Sequence, residues 1–179
     1  MPALIDLSKA GYLPHITALA GVVRYVRLTT MLGQSTVLLA EDDPDDVLLT
    51  RLAFEKARLA NPLQVVRDGV ELLAYLQGEG CYSDRRQYPL PFLLLLDLKM
   101  PRMNGFQVLE WLRTHPEFQG LSVAIMTSSD HDPDISRAYA LGADSYLIKP
   151  PDAEALLALV QRLHAYWVIL DHPLEPCAA

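Results

Sequence analysis

The run LLLLDLKMPRMNG, Leu93 to Gly105, leads an apolar ladder straight into one aspartate, Asp97. A carboxylate that closes a buried stretch stands where the chain meets solvent. Three other apolar runs close on polar groups in the same way: TVLLA on Glu41 and Asp42, LSVAIMT on Thr127, and DSYLIK on Lys149. Together they supply carboxylates, a hydroxyl and an ammonium. Clustered carboxylates repel one another unless a cation compensates them, and an all-oxygen ligand set favours Mg2+. A lysine beside them suits a phosphoryl group as a point charge, and the hydroxyl can hydrogen-bond the same group. No histidine or cysteine nucleophile accompanies them, so the candidate attacker is the Asp97 carboxylate.

These groups meet only if the runs that carry them are neighbouring strands. From Thr36 onward short apolar runs alternate with stretches of helical spacing. Strands are expected at TVLLA, LQVVR, FLLLLD, LSVAIMT and DSYLIK. Helices are expected over PDDVLLTRLAFEKARLA, VELLAYLQGEG, GFQVLEWLRTH, PDISRAYALG and DAEALLALVQRLHAYWVIL. Asp43 suits the first N-cap with Pro44 in the first turn, Gly78 and Gly80 close the second helix, and Pro116 stops the third. Short, wholly apolar strands separated by amphipathic helices imply a parallel sheet covered on both faces. The fold class is therefore α/β, a doubly wound five-stranded parallel sheet, in which ligands bind at the carboxyl ends of the strands. The stretch CYSDRRQYPLP, Cys81 to Pro91, reads simply as a loop.

Each candidate has a structural competitor. Asp97 could cap the following helix, but that cap belongs near Asn104. Asp43, Asp45 and Asp46 read as a solvated acidic helix start favoured by the helix dipole, whereas Glu41 and Asp42, at the strand end, read as metal ligands.

Composition narrows the classes. The chain has 179 residues, 51% hydrophobic and 21% charged, with a net charge of −7. That is the size and make-up of one globular domain with extensions. The acidic balance argues against a nucleic-acid or anionic-membrane surface. Cys81 and Cys177 lie far apart without CxxC spacing, a usage that fits a reducing cytoplasm. Residues 1–35 form an N-terminal extension, disordered or a start-site artefact, since Met31 could begin the domain. Its longest apolar stretch, Ile16 to Val23, falls short of the roughly 20 residues of a membrane span. Residues 36–165 form the domain and 166–179 a C-terminal tail.

The stretches VLLAEDDPDD, LLLLDLKMPRMNG, VAIMTSSD and ADSYLIKP, in this order and on these elements, resemble the receiver domain of response regulators, over Val37 to His164. The resemblance implies a flavodoxin-like fold and a two-component signalling protein rather than an enzyme. In it Asp97 accepts a phosphoryl group from a phosphohistidine on a sensor histidine kinase. It implies that Glu41, Asp42 and Asp97, with the backbone carbonyl of Lys99, hold Mg2+. Lys149 would meet the phosphoryl oxygens, followed by Pro150 in a cis peptide. Thr127 and Tyr146 match the family's switch pair, the Tyr146 ring entering space that the Thr127 hydroxyl vacates. EDDPDD, VVRDGVELLAYL and DLKMP, with Tyr166-Trp167, are most similar to single-domain receivers paired with phytochrome-type kinases, which makes a bacteriophytochrome the expected partner. Only fifteen residues follow His164, too few for an output domain.

Lys99 departs from the family pattern by placing a long cation two residues after the acceptor, where it could slow attack of water on the acyl phosphate or pair with it. Two other classes compete. A phosphohydrolase of the haloacid dehalogenase type needs a second aspartate where Lys99 stands. A non-phosphorylated pseudo-receiver acting as a binding module would lack the acceptor, the acidic pair or the lysine. The last helix carries Leu156, Val160, Leu163, Trp167 and Leu170 at alternating four- and three-residue steps, an a/d seam. With its second apolar stripe, Leu157, Val168 and Ile169, it predicts a symmetric homodimer through the last helix, fourth helix and fifth strand.

Overall fold

The computed structural model describes residues 36–59 and 61–171, with side chains as far as residue 163. The N-terminal extension, Cys177, and the side chains of Trp167, Val168, Ile169 and Leu170 lie outside the described residues. In chain order the elements are β1 (Val37–Ala40), α1 (Pro44–Lys56), β2 (Leu63–Val66), α2 (Gly69–Gln77) and β3 (Leu93–Leu96). Then follow α3 (Gly105–Arg113), β4 (Ser122–Thr127), α4 (Asp132–Ala140), β5 (Ser145–Ile148) and α5 (Ala153–Asp171).

All strand pairs are parallel, in the order β2-β1-β3-β4-β5. The chain winds outward in both directions from the β1–β3 pair, so the order reverses there and leaves a crevice at the strand ends. Strand side chains alternate between two cores. Leu38, Ala40, Leu94, Leu96, Val123 and Ile125 face a cluster containing Leu72 and Leu76 of α2 and Val108 and Leu109 of α3. Val37, Leu39, Leu93, Leu95, Ala124 and Met126 face Ala53 and Phe54 of α1 and Leu156 and Val160 of α5. Burial on both faces explains why these strands read as unbroken apolar runs.

Local signals set the helix ends. The Asp43 carboxylate accepts the Asp45 N–H at 2.8 Å and caps α1, and Asn104 with Gln107 forms a reciprocal capping box on α3. The first helix stops at Lys56 rather than at Ala60. Arg58 turns left-handed (φ 55°), its N–H donating to Glu55 O while that of Leu59 donates to Phe54 O. This paired closure satisfies carbonyls that would otherwise be orphaned at the helix end.

Three sequence expectations change. Cys81–Pro91 is more than a loop. A single 3-10 turn, Gly80–Tyr82, buries Tyr82 against Tyr75, and the Arg85 guanidinium donates to the carbonyls of Tyr75, Leu76 and Tyr88. The Tyr75 and Leu76 carbonyls lie in the last turn of α2, where acceptors outnumber backbone donors, and the Tyr88 carbonyl lies in the loop that follows, so Arg85 ties that loop to the helix end. Secondly, the boundary at 165/166 falls inside α5, which runs to Asp171. Thirdly, the expected dimer seam is partly consumed by the domain itself. Leu156 and Val160 are buried in the core that α5 shares with α1, and Leu163 packs against it.

Candidate functional site

Strand register brings the candidates together. Ala40 is level with Leu96, so Glu41 and Asp97 leave adjacent strand ends side by side. Their backbones are held there: the Asp97 N–H donates to Ala40 O at 3.0 Å and the Glu41 N–H to Val66 O at 2.9 Å. On the other side Thr127 is level with Ile148, and the Lys149 N–H donates to Thr127 O at 2.8 Å. Glu41, Asp97 and Thr127 are buried, whereas Asp42 is exposed.

The acidic groups converge. Glu41, Asp42 and Asp97 each offer a carboxylate oxygen, all within 4.8 Å of one another. The Lys149 ammonium lies 2.6 Å from Glu41 Oε2, 2.7 Å from Asp46 Oδ2 and 3.8 Å from Asp97 Oδ2. Even so, Glu41 Oε2 and Asp97 Oδ1 are buried without a hydrogen bond of proper geometry. Buried carboxylate oxygens left in this state are costly unless a cation meets them. Glu41 Oε2 has the Lys149 ammonium beside it, whereas Asp97 Oδ1 has no such partner, and an all-oxygen set around that atom fits a hard divalent cation.

The electrostatics agree. Burial pushes the Glu41 carboxyl up to about 7, against the opposing pull of Lys149. Burial alone would lower the Lys149 ammonium, but its hydrogen bond to Asp46, its close ion pair with Glu41 and the charge of Asp97 prevail and hold it above its ordinary value.

The loop after β3 is gripped at both ends. A Cβ on Gly105 would fall 2.4 Å from Asp97 O, and the Gly105 N–H donates to Leu98 O at 3.2 Å. Arg102, itself left-handed (φ 61°), pairs with the buried carboxylate of Asp68, which also caps α2 through Glu71 N–H. The side chain of Lys99, on this loop, is exposed.

Beside Thr127 a set of hydrogen bonds links the end of β4 to α4 and β5. The Tyr146 ring already packs against the central core, and its hydroxyl donates to Ser129 O at 2.9 Å. Ser129 is buried, and its hydroxyl donates to Asp134 Oδ2 at 2.6 Å, tying the loop to the first turn of α4. The Lys149–Pro150 bond, expected cis, is trans, as no cis peptide occurs among the described residues. Trans is the intrinsic preference of such a bond by about 0.5–1 kcal/mol.

Sequence reasoning missed two participants. Asp46, read as part of a solvated face, binds Lys149 across 103 residues. Ser129 stood in the quoted VAIMTSSD stretch without a role. Its burial and its bonds to Asp134 and Tyr146, which depend on packing, distinguish it from the exposed Ser128.

Comparison with known proteins places the arrangement. The family model described as response regulator receiver domain matches residues 37–161. Response regulator Rcp1 of Synechocystis is 30% identical over 132 residues, 74% of this chain and 88% of that protein. The solved Mn2+-bound form of Rcp1 superposes with a TM-score of 0.68, at 29% identity, covering 80% of this chain and 99% of that one. The phosphorylated cyanobacterial phytochrome response regulator RcpA gives 0.71 at 28% identity, covering 80% and 99%. Response regulator RPA3017, in red light signaling of R. palustris, gives 0.71 at 34% identity, covering 74% and 92%.

Proposed function

Because this chain belongs to the response regulator receiver domain family, we propose that Asp97 is its phosphoacceptor and that a sensor histidine kinase of the bacteriophytochrome type is the donor. One observation carries the reading. Asp97 is the buried strand-end carboxylate that faces both the acidic pair and the lysine, with an oxygen left unpartnered.

In the transfer, an Asp97 oxygen bonds to phosphorus in line with the departing nitrogen. The P–N bond to the kinase imidazole breaks, its electron pair remaining on the ring. Glu41, Asp42, Asp97 and the carbonyl of Lys99 would hold Mg2+, which would supply positive charge to offset the negative charge gathered during transfer. Lys149 offers its ammonium to a phosphoryl oxygen and Thr127 its hydroxyl to another. The Thr127–Ser129–Tyr146 segment relays occupancy to α4, because Tyr146 and Asp134 both bond Ser129. The role of the exposed Lys99 side chain, two residues after the acceptor, is to pair with the acyl phosphate or to slow attack of water on it.

A homodimer through α4, β5 and α5 is part of the same proposal. Its support is Tyr139 and Ile148, 46% and 51% exposed on α4 and β5. No helix among the described residues is long and apolar enough to cross a membrane. The exposed, unpaired thiol of Cys81 suits a reducing cytoplasm, where we place the protein.

Incubation with acetyl phosphate and Mg2+ tests the assignment. The expected result is one stable, base-labile label per chain, lost in Asp97→Asn. Continuous release of phosphate would favour a hydrolase, no label a binding module, and wild-type labelling of Asp97→Asn would move the acceptor elsewhere.

A further inference from the structure

Lys149 faces more carboxylates than the proposed phosphoryl chemistry requires. Its ammonium has three protons to donate. Nζ contacts Glu41 at 2.6 Å and Asp46 at 2.7 Å, while Asp97 stands off at 3.8 Å. Asp46 sits in the first turn of α1 and is not one of the three carboxylates whose oxygens converge. It binds the lysine from outside that cluster, across 103 residues of sequence. Its side chain is 37% exposed, whereas those of Glu41 and Asp97 are nearly closed to solvent.

That difference matters when charge arrives. A phosphoryl group on Asp97 adds negative charge beside the ammonium, and a charge-assisted hydrogen bond to it needs contact near 2.8 Å. Two short contacts, to Glu41 and Asp46, already hold the ammonium, and a phosphoryl oxygen on Asp97 would compete with them for it. The contact to Glu41 lies inside the cluster and the one to Asp46 at its open edge. Water can replace the ammonium at Asp46 more cheaply than at buried Glu41.

Resting on the phosphoacceptor reading of Asp97, we propose that Asp46 is a parking site for Lys149, a restraining partner that competes with the phosphoryl group for the ammonium and sets how strongly the site holds that group. Asp46 neither binds the phosphoryl group nor the cation. It acts through Lys149, so it is a positioning residue. Its pairing keeps the lysine ordered in the resting site, and its release accompanies occupancy.

The test is titration calorimetry of the full chain with beryllofluoride, a phosphoryl mimic, at saturating Mg2+. Asp46→Ala is expected to bind the mimic roughly three- to tenfold more tightly than wild type, the range of a partly exposed ion pair. Asp45→Ala, which removes a neighbouring exposed charge without touching Lys149, is expected to change affinity by less than about twofold. Asp46→Asn, which keeps the shape, serves as a second variant and should fall between wild type and Asp46→Ala. Unchanged or weaker binding in both Asp46 variants overturns the proposal. Equal tightening in Asp45→Ala also overturns it, since the effect would then be general charge. A wild type that does not bind beryllofluoride overturns the phosphoacceptor reading itself, and the parking role with it, which distinguishes the two failures.

Discussion

The backbone N–H of Gly69 donates to the carbonyl of Met103 at 3.1 Å, and a Cβ on residue 69 would lie 2.5 Å from Met103 Cγ and 2.7 Å from Met103 O. The start of α2 thus presses directly on the loop that follows Asp97, and Asp68, one residue earlier, holds Arg102 of that loop. Gly69→Ala must push the loop backbone away. The expected cost is about 1–3 kcal/mol of stability, from overpacking. It should come with weaker Mg2+ binding, because residue 99 lies on the displaced loop. Urea unfolding and Mg2+ titration check both, and a variant of wild-type stability would show that the loop is free to move.

Lys149→Ala removes the ammonium that faces Glu41, Asp46 and Asp97. Truncating one partner of a buried ion pair costs about 3–5 kcal/mol, since the other charge stays buried and unpaired. The loss should be full in chelator and partly recovered by Mg2+, so that the cation raises Tm more in the variant than in wild type. Thermal unfolding with and without Mg2+ measures this. An equal rise in both proteins contradicts the cluster's need for a cation.

Alkaline pH addresses the tyrosine cluster. Burial pushes the Tyr75 phenol from 10 up to about 12, and burial likewise raises Tyr82, which donates to Glu71 at 2.5 Å. A folded-state value above the unfolded one means the unfolded chain releases its proton first. The contribution of Tyr75 is therefore complete below pH 10 and lost progressively as pH rises toward 12. Two pH units correspond to about 3 kcal/mol as an order of magnitude. Tyr75→Phe loses the bond to Pro89 O but should show a shallower alkaline decline in Tm. Parallel declines in the two proteins would place the alkaline sensitivity elsewhere.

Sedimentation at micromolar concentration tests the proposed dimer. Ile148 is half exposed at the end of β5, so Ile148→Glu should leave the domain folded. A wild-type dimer beside an Ile148→Glu monomer is the expected pair. Two monomers would remove the dimer, and two dimers would move its interface away from β5.

Much of the site was legible because an apolar run and the polar residue that ends it are local features. Glu41, Asp42, Asp97, Thr127 and Lys149 all close strands, and parallel register then places them on one edge without further information. The capping residues Asp43 and Asn104 were equally local. Asp46 was not, since its partner lies 103 residues away and its sequence neighbours suggested only a charged helix start. The Arg85 anchor was hidden for a similar reason. Which backbone carbonyls lack partners becomes visible only once α2 has ended.

The sequence by itself determined the alternation of elements, the sheet class and the chemical types at the strand ends, because hydrophobic period and chain punctuation are written residue by residue. Tertiary structure alone decided which charges meet and which stripes are covered. The apolar stripe of α5 has the period of a seam, yet Leu156 and Val160 turn it onto α1 and the sheet. Periodicity specifies that a face will be buried, but not against what. Likewise Lys149 has five acidic neighbours in principle along Glu41 to Asp46, and only the relative placement of α1 and β5 selects Glu41 and Asp46. Distances of this kind depend on the packing of elements distant in the chain, where a shift of an ångström exchanges one ion pair for another.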